Sequence, residues 1–309
     1  MTAIRILDRS YQGEADFWKV RQFLIETYPI TPTDFNWEIR RWEGWHMHNI
    51  VPTHTQALDM VHLWETEVGQ LVGVVHPEGR GDAWLELHPD YRHLIEVDMI
   101  AWAEQHLAVR TDDGKQRRVE FFVQEYDSPR RRLLAQRGYE KTPWSGVMRR
   151  LRLGSQPLPK VVVADGYVMR LIRPQDTHDA QGIADILNAA FNRTFHTGAE
   201  FATFAACAPS FRADLQLVAE ALAGSFAAHL GFTYDEANRR GIVEPVCTHP
   251  DHRRHGLARA LMAEGLHRLQ ALGATAVYVG TGDAIPANEF YEAVGFTEAY
   301  VGYTWRKVF

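Results

Sequence analysis

The sequence predicts an α+β chain in which one domain plan occurs twice in succession. Strand-like and helix-like runs alternate along both halves of the 309 residues. A His-Pro-Asp turn stands between strand and helix in each half, at His88-Pro89-Asp90 and His249-Pro250-Asp251. A short helix running into glycine and an aromatic residue follows in each half, ending at Gly138-Tyr139 and Gly295-Phe296. The matched features lie roughly 160 residues apart, the signature of a duplicated domain and not of a short solenoid repeat.

Taken in order, 4–7 reads as a strand, and 15–27 as a helix with Phe17, Val20, Phe23 and Leu24 at helical spacing. The stretch 31–49 is rich in tryptophan (Trp37, Trp42, Trp45). Segments 60–67 and 71–76 pair across Val68-Gly69-Gln70, a hairpin signal. A strand at 83–87 leads into the first His-Pro-Asp. A helix at 94–107, a strand at 118–125, a helix at 130–137 and a strand at 147–153 complete the half. Gly138 is the helix stop.

Gly154-Ser155-Gln156-Pro157-Leu158-Pro159 supplies a linker. Domains are therefore expected at 1–153 and 167–309, with 154–166 between them. The order then begins again. A strand at 167–172 precedes a helix at 180–191 that sets Ile183, Ile186, Leu187 and Phe191 on one face. A hairpin joins 215–221 to 225–233 across Ala223-Gly224, and a strand follows at 242–247. A helix at 257–272 buries Leu257, Leu261, Leu266 and Leu269 and stops at Gly273. A strand at 275–280, a short helix at 286–294 with proline in its first turn, and a strand or hairpin at 301–308 close the chain.

A hydrophobic share of 46% and a charged share of 23% place the chain among soluble globular proteins. No uninterrupted apolar run reaches the ~18 residues of a membrane span. The first residues carry Arg5, Asp8 and Arg9 where a signal peptide needs an apolar core. Cys207 and Cys247, the only cysteines, read as buried thiols in a reducing compartment. A cytoplasmic location and no membrane partner are the expectation. The net charge of −6 argues against nucleic acid as a partner, which needs a basic surface.

One local basic site remains, where the strand at 242–247 breaks and a helix starts. Gly256 lets the backbone approach a pyrophosphate, and the N–H groups from Arg254 through His255, Gly256 and Leu257 to Ala258 point the same way. Arg253, Arg254 and Arg259 can add charge-assisted bonds of roughly 1.5–3 kcal/mol each. The helix dipole adds about 0.3–1 kcal/mol, so direct bonds dominate. The plain alternative is a solvated, glycine-capped turn. Glu244 lies in the apolar run Ile242-Val243-Glu244-Pro245-Val246, where a carboxylate is costly unless it is paired or does chemistry. Its alternative is a solvent-facing strand position. Pro245 has no N–H to give the sheet and interrupts the ladder. His249, His252 and His255, like His46, His48 and His54, are weak as metal ligands, and no metal is expected.

These residues resemble the GNAT superfamily of acyl-CoA-dependent N-acetyltransferases. Arg253-Arg254-His255-Gly256-Leu257-Ala258 fits the family's acetyl-CoA loop, (Gln or Arg)-x-x-Gly-x-(Gly or Ala). Asn288-Glu289-Phe290-Tyr291-Glu292-Ala293-Val294-Gly295-Phe296 fits its later Asn-x-x-Tyr-x-x-x-Gly-Phe helix. The match covers 167–309 well and 1–153 only as a decayed copy. The resemblance implies two tandem GNAT-like domains, each a mixed, mainly antiparallel twisted sheet flanked by helices. It implies acetyl-CoA as co-substrate and a small-molecule or peptide amine as acceptor. By the same resemblance Glu244 is the general base and Tyr291 the general acid to the leaving thiolate. Val246, Cys247, Thr248 and Asn288 would line the cofactor arm, and the Val246 N–H would face the thioester oxygen. Cys247 itself reads more simply as a small buried thiol than as an acyl carrier.

The halves are not chemically equal. Where the second has Gly256, Ala258, Asn288 and Tyr291, the first has Ile95, Val97, Arg131 and Leu134. The first half is therefore expected to be non-catalytic. A competing class is a non-catalytic acyl-CoA sensor or interaction protein that keeps the cofactor loop, although a sensor needs neither Glu244 nor Tyr291.

Overall fold

The computed structural model describes residues 5–31, 37–47, 58–154 and 157–309. In chain order the elements begin with β1 (Ile6–Ser10), α1 (Glu14–Thr27), α2 (Ile39–Met47), β2 (His62–Thr66), β3 (Leu71–His76) and β4 (Asp82–Leu87). Next come α3 (Arg92–His106), β5 (Val109–Arg110), β6 (Arg117–Gln124), α4 (Ser128–Gln136) and β7 (Glu140–Arg152). The chain continues with β8 (Tyr167–Leu171), α5 (Thr177–Phe191), α6 (Gly198–Cys207), β9 (Gln216–Ala221) and β10 (Phe226–Asp235). It ends with β11 (Arg240–Thr248), α7 (Leu257–Ala271), β12 (Ala276–Gly282), α8 (Ile285–Ala293) and β13 (Glu298–Val308).

The described residues form two compact units. The first draws on 5–31, 37–39, 58–147 and 300–309, the second on 40–47, 148–154 and 157–299. The units therefore interleave along the chain, where the sequence reading expected one to follow the other. Each is a mixed, mainly antiparallel sheet flanked by helices.

In the first unit β1, β2, β3 and β4 pair antiparallel in sequence order. β4 then runs parallel to β6, and β6 pairs antiparallel with β13 from Gly302↔Gln124 to Val308↔Arg118. β6 alternates along its length, with Val119, Phe121 and Val123 buried and their neighbours more open. Those three meet Ile95, Met99 and Ile100 of α3 in one core. The N-terminal turn of α3 is filled by charge. Arg92 bonds Glu96 at 2.7 Å and meets Asp127 at 2.8 Å, and Arg130 bonds Glu96 at 2.6 Å. Glu96 is buried among these partners.

In the second unit β8, β9, β10 and β11 pair antiparallel, and β11 runs parallel to β12. α7 packs on this sheet through Leu257, Leu261, Leu266 and Leu269, all buried with Phe232 and Val243. Gly265 sets how closely it sits, because a β-carbon there would fall 1.8 Å from the Phe232 ring. α5 and α6 form a second core with the sheet through Ile183, Ile186, Phe201, Val218, Phe226 and Cys247. α6 begins with a capping box in which the Thr197 and Glu200 side chains cap each other's backbone N–H.

α2, in the tryptophan-rich stretch, docks in this second unit. Trp42 is fully buried. The buried Glu43 carboxylate accepts from the Ser210 N–H at 2.9 Å and from the Ser210 hydroxyl. The Arg40 guanidinium lies 4.4 Å from the Phe204 ring centroid, a cation–π contact.

Candidate active site

The site is built around the far end of β11. β11 and β12 pair at Arg240↔Ala276, Gly241↔Val277 and Ile242↔Tyr278, and the pairing goes no further among the described residues. On its other side β11 stays with β10, but with an irregularity. The register passes from Phe232↔Val243 to Leu230↔Val246, so Glu244 and Pro245 together oppose Gly231. Two residues against one is a β-bulge, which bends the strand and re-aims its side chains. Gly231 accommodates it, since a β-carbon there would lie 2.9 Å from the Glu244 carbonyl oxygen and 2.5 Å from Gln216 Oε1. Pro245, lacking an N–H, costs the ladder nothing at this point.

Beyond the bulge the direction of each backbone group follows from alternation. His249 donates its N–H to the Ala227 carbonyl at 2.9 Å, which makes that pair a hydrogen-bonded one. Antiparallel pairs alternate, so His229↔Cys247 is hydrogen-bonded, while Ala228↔Thr248 and Leu230↔Val246 are not. The N–H groups of Val246 and Thr248 therefore face away from β10, on the side from which β12 has departed. The Cys247 N–H faces β10 instead. Its side chain is buried in the α5–α6 core, and burial pushes the thiol up to about 12. Cys247 thus contributes neither a backbone donor to the opening nor a thiolate.

The basic turn lies just beyond. Arg254 and Gly256 have φ of +67° and +73°, both left-handed. Gly256 is the N-cap of α7 and no side chain caps it, so the first-turn N–H groups at Leu257, Ala258 and Arg259 have no intrahelical partner. A β-carbon on Gly256 would meet nothing within 4 Å, so the turn faces open space. Arg253, Arg254, His255 and Arg259 are exposed, Ala258 is half-buried, and the Leu257 side chain belongs to the core. Arg253 reaches back to the Ala190 carbonyl near the end of α5, at 3.5 Å. Tyr167 braces the turn, its hydroxyl 3.0 Å from His252 Nδ1 and its ring 5.7 Å from that of His255.

The Glu244 charge reaches the Tyr291 phenol. Tyr291 on α8 is buried, with Phe290 and Phe296 edge-on to its ring. Burial, reinforced by the negative charge of Glu244, pushes its phenol up to about 12. Glu244 is partly exposed, and Arg41 of α2 approaches it, Nε to Oε2 3.8 Å. No motif flagged Arg41, and nothing in 37–47 taken alone signals a site.

Asn288 is engaged elsewhere. Its amide donates to the Gly282 and Ala284 carbonyls at 2.9 and 3.1 Å, and its oxygen accepts from Arg149 Nε at 2.8 Å. Those bonds fix the start of α8, and with it Tyr291 three residues on. Both amide hydrogens are used, which leaves one lone pair of Oδ1 for any ligand. Among the described residues no group of three His, Cys, Asp or Glu side chains could hold a metal; His48 and His54 lie outside them.

A parted strand, a helix start with open N–H groups and a tyrosine on the next short helix are the parts of this candidate site. Residues 180–296 match the model of the Acetyltransferase (GNAT) family. This segment is a GNAT-family domain. Solved structures extend the likeness to the whole chain. A GCN5-related N-acetyltransferase from Sphaerobacter thermophilus superposes with TM-score 0.66 at 17% identity, covering 98% of this chain and 96% of the other. A tandem GNAT protein from the clavulanic acid biosynthesis pathway gives 0.67 at 16% identity, with 99% and 98% covered. A GNAT-family acetyltransferase from Colwellia psychrerythraea gives 0.59 at 12% identity, with 96% and 99% covered. At these identities the likeness is one of fold, and the fold is that of two tandem GNAT domains. A comparison with curated proteins finds no match. GNAT membership supports acyl transfer as the general chemistry. No helix among the described residues is long and apolar enough to cross a membrane.

Proposed function

We propose that the second unit transfers an acetyl group from acetyl-CoA to a primary amine by direct attack. The observation that carries this reading is the parting of β11 from β12 after Ile242. It leaves the Val246 and Thr248 N–H groups, which face away from β10, without β12 pairs, on the same strand as Glu244. The fit to acetyl-CoA rests on the residues present. Left-handed Arg254 and Gly256 and the uncapped first turn of α7 offer donors to a pyrophosphate, with Arg253, Arg254 and Arg259 exposed beside them. Val246 and Thr248 offer main-chain groups to the pantetheine arm, and Asn288 retains one acceptor for it. Bound there, acetyl-CoA supplies an activated acyl group.

Glu244 takes the proton of the attacking amine. The Val246 N–H donates to the thioester oxygen as negative charge grows on it. The new C–N bond forms as the C–S bond breaks, and Tyr291 gives its proton to the departing thiolate. Against a reference thiol near 8.5, a phenol at about 12 makes that last transfer uphill by about 5 kcal/mol. An ordinary tyrosine faces only about 2 kcal/mol. Part of the difference is the charge on Glu244, and that charge disappears once Glu244 holds the amine's proton. Base and acid are thereby coupled: loading the first makes the second a better donor.

The first unit has Ala83 at the position of Glu244, counting back five residues from each His-Pro-Asp, and Leu134 for Tyr291. The Arg92–Glu96–Arg130 cluster fills its helix start and engages both guanidiniums with the Glu96 carboxylate. In this reading it does not turn over.

The test is release of free CoA thiol from acetyl-CoA over a panel of amines. Glu244→Gln should lower kcat by about 10²–10³ and Tyr291→Phe by about 10², both keeping acetyl-CoA affinity by calorimetry. Thiol release by the wild type with no amine in the panel, alongside normal acetyl-CoA binding, would favour the sensor instead.

A further inference from the structure

α2 places a cation beside the candidate base. Arg41 Nε stands 3.8 Å from Glu244 Oε2, and Arg41 Nη2 stands 4.0 Å from where a β-carbon on Gly280 would be. Arg41 thus lies between β11 and β12 where the two strands no longer pair. Its neighbours on α2 hold it there. Trp42 is fully buried, Glu43 is bonded to Ser210, and Arg40 is stacked on Phe204. A guanidinium on so firmly seated a helix is positioned, not wandering. It remains reachable, since the Arg41 and Glu244 side chains are 34% and 37% exposed.

We propose that the acceptor is an α-amino acid, its ammonium received by Glu244 and its carboxylate by Arg41. This rests on the acetyl-transfer reading above and names its substrate class. The argument is one of charge. A plain amine arrives as a cation, and Glu244 attracts it while Arg41 repels it. A carboxylate on the same carbon reverses the second term. At standard bond lengths the amine nitrogen and the carboxylate carbon of an α-amino acid are about 2.5 Å apart. Two opposite charges at that spacing fit two opposite protein charges 3.8 Å apart as a closed ring of alternating sign. At 3.8 Å the Arg41–Glu244 pair itself is too long for a hydrogen bond, so the ring forms without breaking one between them. Guanidinium also offers the planar, two-pronged donor set that carboxylates accept best. The ammonium sheds one proton to solvent before it attacks, and Glu244 takes the second as the C–N bond forms, so the product amide is uncharged and only the Arg41 contact still holds it.

The experiment compares matched acceptors on the full chain by thiol release: L-phenylalanine with phenethylamine, L-tyrosine with tyramine, L-lysine with cadaverine. In at least one pair the wild type should favour the amino acid by about tenfold or more in kcat/KM. Arg41→Gln should collapse that ratio, mainly through KM, and Arg41→Lys should restore part of it. Melting and acetyl-CoA calorimetry on Arg41→Gln show that it is folded and loaded. Equal or better turnover of the decarboxylated amine in every pair overturns the proposal and leaves acetyl transfer standing. So does a ratio that Arg41→Gln leaves unchanged. Silence across all the pairs, with acetyl-CoA bound, overturns the amino-acid proposal; release with other amines would then keep the enzyme reading.

Discussion

Gly256 carries two demands at once. Its φ of +73° is one that a side chain resists, at about 1–2 kcal/mol, and the space above it is open. The two demands can be separated. Gly256→Asn tolerates the left-handed turn and should fold and bind acetyl-CoA with a modest loss. Gly256→Glu should also fold, because nothing lies in its way, yet set a carboxylate against the phosphates and weaken acetyl-CoA by about a hundredfold or more. Calorimetry on the two variants reads this directly, and equal affinities would remove the turn from cofactor binding. At this scale the sequence was informative, because the loop and the Tyr291 helix are contiguous motifs. It was less so for Asn288 and Cys247. The family resemblance placed both near the arm, but hydrogen bonds to Gly282, Ala284 and Arg149 engage the first, and the pleat turns the second into the core.

Among the elements, α7 and the sheet beneath it fix where the turn is presented. The helix approaches β10 as closely as it does because Gly265 faces Phe232 with no side chain between. Gly265→Ala should therefore cost about 1–3 kcal/mol, read as a lower urea midpoint, and should weaken acetyl-CoA by shifting the helix start. A stability loss without any change in affinity would show that the start of α7 is held independently of its seat. Most elements could be read from periodicity within one or two residues of their ends. α6 was not assigned, although Thr197-x-x-Glu200 is a legible capping signal. α2 had no such signal. What makes it an element of the second unit is Glu43 bonded to Ser210, a contact 167 residues apart in sequence. Local pattern cannot report a partner that distant, so Arg41 stayed out of view.

Across the molecule, acid should act on both units within one pH window. His76 in the first and His229 in the second are buried and neutral, pushed by burial down to about 3 and about 4. In the unfolded chain each titrates near its ordinary 6.5. Their contribution to stability is complete above that value and is lost as pH falls toward the folded ones. Each should cost roughly 2 kcal/mol by pH 5, before most carboxylates take up protons. Asp179 extends the loss. Burial alone would raise it, but bonds from Arg170 and Arg173 hold it well below its ordinary 3.8, so its contribution disappears only as pH falls past that value. Urea melts at pH 7 and pH 5 should show the midpoint falling in that interval, and an unchanged midpoint would mean that the two histidines are not held neutral.

The interleaving of the two units also bears on how the protein comes into being. A chain leaves the ribosome from its first residue to its last. The sheet of the first unit takes its β13 strand from 300–309, and the second unit takes α2 from 40–47. The first unit, begun earliest, can close only once 300–309 have emerged, while α2 must wait through more than a hundred further residues for Ser210 to emerge. Neither half of the gene encodes a finished unit, and a recombination that cut between 153 and 167 would separate each from a piece of its own sheet or wall. The duplication is still legible in the sequence, but its two copies can no longer be inherited apart.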